Sequence, residues 1–242
     1  MPLLRERIHW APLAPSGRFR IDRFPDFVAY LNALPRTDCA VHGLHHAHPG
    51  PRLAMEFQEQ SRSRCRALVR EARRIFVSAG LRHVAGFAPP AWNAPPALCA
   101  ALGDEEFGFV ASARDLDTPI SEGARTAGNG LRGAALIQPT WVASVSPCEP
   151  AAAVPWLVHF ATNFQATSTI ARARTIIEAG GLLFIKAHVF KNGGGITMLD
   201  GLDDDYCAYL ERLWRELHHR YGEALWWTSL EEVTNRCRAM AA

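Results

Sequence analysis

The stretch Ala40-Val41-His42-Gly43-Leu44-His45-His46-Ala47-His48-Pro49-Gly50 contains four of the ten histidines of this 242-residue chain. An apolar run over residues 39–41 leads into it and a Pro-Gly pair ends it, so the sequence predicts a strand that continues into a loop. In a sheet of parallel strands, the loops after the carboxyl ends of the strands line the ligand cleft. The position of the histidines therefore favours a binding site.

Predicted strands and helices alternate along the rest of the chain. Short apolar runs predict strands over residues 8–13, 83–87, 107–112, 156–160, 182–188 and 225–228. Apolar residues at helical spacing predict helices over residues 23–34, 54–80, 95–102, 168–179 and 203–221, with a last helix starting near Ser229. Without a repeat or a linker, this pattern is typical of a single α/β domain over residues 1–242, either a (β/α) barrel or a doubly wound sheet.

Composition and charge exclude several classes of protein. The 26 basic residues nearly balance the 24 acidic ones, which offers no electrostatic basis for binding nucleic acid or an anionic membrane. Six cysteines lie far apart without a C-x-x-C pair, which favours buried free thiols over disulfides or a thiolate zinc site. No apolar run approaches the roughly 20 residues of a membrane helix, and the N-terminal stretch is charged too early for a signal peptide. We therefore expect a cytoplasmic protein.

His42 and His46 are the first candidate site residues. They are four residues apart before a turn, so their imidazoles can converge where the loop coils. Neutral imidazole is a common zinc ligand, and a catalytic zinc site takes three protein ligands and a water. On spacing alone, the pair is either part of a divalent-metal site, most readily zinc, or a polar loop. His45 and His48 are expected to face solvent or to support the ligands.

Two further segments place polar or aromatic groups at predicted strand ends. His188 ends the most apolar predicted strand, so it is either a hydrogen-bonded strand-end residue or a catalytic group at a barrel mouth. Pro89, Pro90 and Trp92 follow the predicted strand over residues 83–87. They form either a rigid aromatic wall for a substrate or a plain loop with a core tryptophan.

Three segments in this order resemble the polysaccharide deacetylase family, the NodB-homology group. His42-Gly43-Leu44-His45-His46 is similar to the metal-binding H-x-x-x-H element of that family. Gly86-Phe87-Ala88-Pro89-Pro90-Ala91-Trp92 is similar to its strand-end R-P-P element, and Ile185-Lys186-Ala187-His188 to its late strand ending in a catalytic histidine. The close of the chain, over residues 225–232, is similar to the ending of one branch of the family.

The resemblance implies a distorted (β/α)7 TIM-like barrel and the metal-dependent removal of an acetyl group from an N-acetylated sugar. In that family, a metal held by an Asp and two His polarises the amide carbonyl and activates water; a second Asp is the base, and a late His protonates the leaving amine. By position, His42 and His46 would be metal ligands and His188 the general acid. Pro89 and Trp92 would contact the carbohydrate.

The sequence departs from the family at two points. Counting back from His42, no segment is long enough to hold the family's first strand, which ends in an Asp-Asp pair, and the helix after it. Ala88 stands where the family has an arginine that orients the base. We therefore expect a barrel that lacks its first strand and helix, with an open sheet edge through which copies could associate.

The missing Asp-Asp pair has three explanations at the level of sequence. The chain starts at an internal Met, or the barrel is inactive and serves as a carbohydrate-binding or interaction module. The third explanation is that other side chains complete the site, such as His9 or a distant carboxylate.

Overall fold

The computed structural model describes residues 20–48, 54–92, 94–112, 143–146, 157–189, 191–193, 196–197 and 200–241. The strand predicted over residues 8–13 lies outside them. Six helices are described: α1 (Pro25–Ala33), α2 (Arg62–Ser78), α3 (Pro96–Asp104), α4 (Ile170–Glu178), α5 (Asp204–Tyr221) and α6 (Leu230–Ala241). The strands are β1 (Ala47–His48), β2 (Ala54–Met55), β3 (Gly86–Phe87), β4 (Phe109–Ser112), β5 (Ala143–Ser146), β6 (Leu157–Ala161), β7 (Asn192–Gly193) and β8 (Ile196–Thr197).

The central sheet has the strand order β3-β4-β6-β5. Strands β3, β4 and β6 are parallel, and β5 lies antiparallel beside β6. Single parallel bridges add Val41 beside Phe87 and Ile185 beside Phe164. Two short antiparallel hairpins, β1–β2 and β7–β8, lie outside this sheet. The predicted α/β alternation is thus present, and the histidine stretch follows the residue that pairs with β3.

The expected (β/α)7 barrel is wrong for the described part of the chain, where the sheet is open. Residues 182–188, predicted as a full strand, make only the bridges at Ile185 and His188. Part of their backbone bonds instead to the Asn163 side chain, whose amide donates to the Leu182 carbonyl and accepts from the Phe184 amide. An apolar run indicates that a segment packs against other apolar residues, but not that its backbone pairs with a neighbouring strand. The length of the run therefore does not predict how far a sheet continues.

The strand predicted over residues 225–228 is also absent. Trp226 and Trp227 are exposed there. The guanidinium carbon of Arg236 on α6 lies 4.0 Å from the centre of the Trp226 ring. Trp226 therefore contacts a helix rather than a neighbouring strand, although aromatic residues are common in strands.

Helix α2 covers one face of the sheet because its apolar residues recur every three or four positions. Its buried residues are Cys65, Leu68, Val69, Ala72 and Ile75. The helix begins later than residue 54, because β2 pairs with β1 and the Ser61 hydroxyl caps the helix by accepting from the Arg64 amide. It ends at Ser78, and the predicted Gly80, whose φ of 68° is left-handed, follows two residues later and stops the helix.

Three apolar clusters hold the helices and the sheet together. The first lies under α2 and α3, where the Phe87 ring meets Phe57 and Phe107 edge to face at 5.5 and 5.7 Å. The second joins the other face of the sheet to α6 and includes Phe109 and Phe160. The third packs α4 against α5. No described helix combines the length and the apolar character needed to span a membrane.

Candidate functional site

His42 directly follows Val41 at the carboxyl end of its bridge to β3. Its Nδ1 lies 2.7 Å from the Ala88 carbonyl oxygen, which can only accept. Nδ1 therefore carries the proton, and Nε2 keeps a lone pair that can bind a cation, as in metal-binding histidines held by a backbone carbonyl. The His46 ring lies next to it, with ring centroids 5.5 Å apart. The structure thus brings the two predicted ligands together.

The surroundings of both imidazoles favour their neutral form. Both rings reach solvent, but the crowded site around them limits hydration, and this partial burial is the main cause that lowers the pKa of His42. The bond to Ala88 and the charge of Glu56 oppose this effect, whereas positive charge on His188 adds to it. Partial burial, followed by charge on His42 and His188, also lowers the pKa of His46. Neutral imidazole is the form that binds metal ions.

Glu56 shapes the loop that carries the two histidines. This glutamate is only 1% exposed. Its two carboxylate oxygens each accept from the Leu44 amide at 3.0 Å, and Oε2 also accepts from the His46 amide at 3.0 Å. At Gly43, which has a φ of 102°, an added Cβ would lie 2.4 Å from Oε2 of Glu56 and 2.7 Å from the Pro90 ring. The loop therefore requires glycine there.

His188 is paired with a buried carboxylate, Asp200. Nδ1 of His188 donates to Oδ1 of Asp200 at 2.7 Å. The backbones are also joined, since the His188 amide donates to the Asp200 carbonyl at 2.8 Å and the Leu202 amide donates to the His188 carbonyl at 2.9 Å. Nε2 of His188 is consequently left for proton transfer, with the ring held by a carboxylate as in a catalytic His-Asp pair.

Lys186 balances the buried charge of Asp200. Its Nζ lies 2.8 Å from Oδ2, and the two side chains are 3% and 7% exposed. At this distance the two groups form a direct ion pair, which compensates the charge on Oδ2. Burial raises the pKa of Asp200, but Lys186 and His188 together outweigh it and the pKa is lowered. Asp200 is therefore a carboxylate at neutral pH.

The proline segment forms a tight turn beside this charged group. Pro89 and Pro90 are buried, and the Trp92 amide donates to the Pro89 carbonyl at 2.9 Å. Trp92 has a φ of 59°, which is rare for a bulky residue and marks a strained position. The Nζ of Lys186 lies 5.1 Å from the centre of the Trp92 ring. Trp92 is thus half-buried at the site, and Pro89 supports its turn.

The described side chains supply only part of a metal site. Two neutral imidazoles, His42 and His46, have the donor chemistry that zinc prefers. Among the described residues, however, no three His, Cys, Asp or Glu side chains converge to hold an ion. Glu56 is engaged by two amides, and Asp200 is engaged by His188 and Lys186. His9 lies outside the described residues. A catalytic zinc site would therefore need one more ligand than these residues provide.

The structure brings the three predicted histidines close enough for their charges to interact, but the sequence did not indicate the charged groups that hold them. Glu56, Lys186 and Asp200 each depend on contacts with residues distant along the chain. Their signals were faint: a lone acid between apolar residues, a lysine inside an apolar run, and an aspartate after a glycine-rich loop. Comparisons with models of protein families, with curated proteins and with solved structures gave no match.

Proposed function

We propose that the chain is a hydrolase of the carbohydrate deacetylase type, which releases acetate from an N-acetylated sugar. The observation that carries the proposal is the meeting of the His42–His46 pair with the His188–Asp200 pair, close enough for their charges to interact. Amide hydrolysis needs a group that stabilises the developing oxyanion and an acid that protonates the leaving amine. The resemblance of three sequence segments to one deacetylase family supports the same reaction.

His188 is suited to protonate the leaving amine. Asp200 accepts the Nδ1 proton, so a second proton on Nε2 can be donated to the substrate nitrogen while the carboxylate stabilises the imidazolium. Lys186 keeps this carboxylate ionised in its buried position. An amine leaves readily only after it is protonated, so this pair acts on the step in which the C–N bond breaks.

His42 and His46 would hold a divalent cation, most readily zinc. Such an ion, when bound, acts as a Lewis acid toward the amide carbonyl and lowers the pKa of a bound water. The contribution of this chain is to present the imidazoles in the correct form. The Ala88 carbonyl fixes the tautomer of His42, and partial burial keeps both rings neutral.

Trp92 is suited to contact the sugar. It is half-buried and lies over Lys186, which limits its movement. The C–H face of a pyranose packs well on an aromatic ring, and ligand sites are commonly lined by aromatic side chains next to a few placed polar groups. The buried Pro89 would affect substrate binding indirectly, because its carbonyl accepts from the Trp92 amide and so holds the turn that positions Trp92.

A second candidate function is carbohydrate binding without catalysis. It is favoured by the incomplete set of metal ligands among the described residues and by the engagement of both nearby carboxylates, Glu56 and Asp200. Neither carboxylate is placed as a base for water in the described structure. The same Trp92 surface would then bind the sugar, and His188 would have no chemical role.

Acetate release from N-acetylated oligosaccharides, measured with and without added zinc, tests the first function. We expect His188→Gln, which removes the acid, to lower the rate by about 10²–10⁴-fold. We expect His42→Ala to abolish the response to zinc. His45→Ala is the matched control, because His45 lies on the same loop and is exposed.

Equal rates for the wild type, H188Q and H42A would refute the hydrolase. If no variant releases acetate, but Trp92→Ala weakens oligosaccharide binding in calorimetry, the binding function stands instead. Acetate release that zinc stimulates would exclude that second candidate.

A further inference from the structure

We propose that Glu56 is the positioning residue of the His42–His46 cation site, where its buried carboxylate folds the loop and supplies negative charge. The inference rests on the proposed function, because it concerns the same cation. It goes further by assigning a role to a residue outside the three segments that resemble the deacetylases. Glu56 would act on the ion through the two imidazoles rather than as a ligand, because its oxygens already bind backbone amides.

The loop from His42 to His46 is wrapped around the Glu56 carboxylate. Oε2 lies 3.0 Å from both the Leu44 and the His46 amide nitrogens, and hydrogen bonds to a charged acceptor are about twice as strong as neutral ones. His46 has a φ of 65°, a left-handed conformation that costs a non-glycine residue free energy. The carboxylate offsets this cost by binding the amide of that same residue.

The β1–β2 hairpin delivers Glu56 to the loop. Ala47 is paired with Met55, and the Glu56 amide donates to the His46 carbonyl at 3.3 Å. His46 and Glu56 therefore share two hydrogen bonds: the Glu56 amide donates to the His46 carbonyl, and the His46 amide donates to the Glu56 carboxylate. The register of the hairpin thus fixes the position of the carboxylate relative to the histidines.

The charge of Glu56 reaches His42, one of the two proposed ligands. A divalent ion bound by two neutral imidazoles keeps its full charge, and a carboxylate in a poorly hydrated position attracts such charge strongly. Glu56 is also a source of negative charge at His42, where it favours the positive form of the ring. Partners of this kind behind metal ligands typically contribute 10–100-fold to metal affinity.

Two substitutions separate the loop-folding role from the charge. In Glu56→Gln, the amide oxygen can take the place of Oε2 and accept from both backbone amides, but the charge is lost. Glu56→Leu removes both the acceptor and the charge. Glu59→Gln is the matched control, since Glu59 is an exposed glutamate three residues further on. The probe is cobalt(II), titrated by absorption spectroscopy, together with hydrogen exchange of the Leu44 and His46 amides.

We expect E56Q to keep slow amide exchange and to bind cobalt(II) about 10–100-fold more weakly than the wild type. We expect E56L to exchange both amides faster and to bind cobalt(II) more weakly still, while E59Q matches the wild type. Unchanged cobalt(II) affinity in E56Q would overturn the charge role, and unchanged exchange in E56L would overturn the loop role. If the wild type itself binds no cobalt(II), the cation site of the proposed function fails, and this inference fails with it.

Discussion

Replacing Lys186 by Met should strongly destabilise the fold at neutral pH. The substitution preserves most of the side-chain volume but leaves Asp200 as a buried charge without its partner, which lies 2.8 Å away in the wild type. Breaking a buried pair in this way costs about 3–5 kcal/mol of unfolding free energy. The loss of the Lys186 charge over Trp92 adds about 0.5–2 kcal/mol, because that contact is shielded from water.

The effect of pH on the unfolding free energy provides a second, independent test of this prediction. In the wild type the pKa of Asp200 is lowered: burial raises it, but Lys186 and His188 prevail. Its ion pairs therefore contribute stability above the usual pKa of aspartate, and this stability is lost as the pH falls. In K186M the pKa of Asp200 rises, because burial is then opposed only by His188. The loss of stability should be largest at neutral pH and should shrink as Asp200 is protonated.

Urea unfolding followed by circular dichroism at pH 7.5 and at pH values of about 5 and below measures both effects. Lys191→Met is the matched control, since Lys191 pairs with Asp203 at 3.1 Å but both side chains are more exposed, at 28% and 37%. It should cause little change. Adding Asp200→Asn to K186M removes the unpaired charge and should restore part of the stability. The reasoning is refuted if K186M loses no more stability than K191M, or if its loss is the same at every pH.

Three further outcomes are expected. Gly43→Ala should lower the unfolding free energy by about 2–5 kcal/mol, since a left-handed φ and a clash act together; wild-type stability in urea would contradict this. Partial burial lowers the pKa of His42 and His46 from 6.5, so the unfolded chain binds protons at these residues at a higher pH than the folded chain does. The unfolding free energy should therefore fall as the pH drops through about 6.5, and replacing both histidines by glutamine should make this fall smaller. Burial raises the pKa of the Cys65 thiol to about 11, so a thiol reagent should label the exposed Cys207 in the native protein and Cys65 only after unfolding.

Helices were predicted from sequence more accurately than strands. A helix such as α2 or α5 carries its own signal, because its apolar residues recur on one face and its capping residues, Ser61 and Asp203, are local. A strand depends on a partner that local sequence does not specify. Residues 182–188 and 225–228 are apolar enough for strands, but their partners are the Asn163 side chain and helix α6. The barrel inferred from the order of segments failed for the same reason.

At the site, too, the residues with a local sequence signal could be predicted, whereas those that depend on distant contacts could not. His42, His46 and His188 can be proposed from the sequence because each lies at or shortly after the end of an apolar run, which is a local signal. Asp200 could not be predicted, since it reaches His188 only because the chain returns to the same point after a glycine-rich segment. Lys186 lies within an apolar run, and its charge is paired only because the chain brings Asp200 back beside it.

His188 and Asp200 are joined by one backbone bond and one side-chain bond, which together fix the two ends of the segment between them. The chain leaves the site after His188 and comes back at Asp200, where the two residues are bonded through both backbone and side chain. The free energy of closing a longer excursion grows only slowly with its length. Insertions or exchanges between these two anchors should therefore leave the His188–Asp200 pair in place, so this segment can be replaced by loop grafting without disturbing the pair.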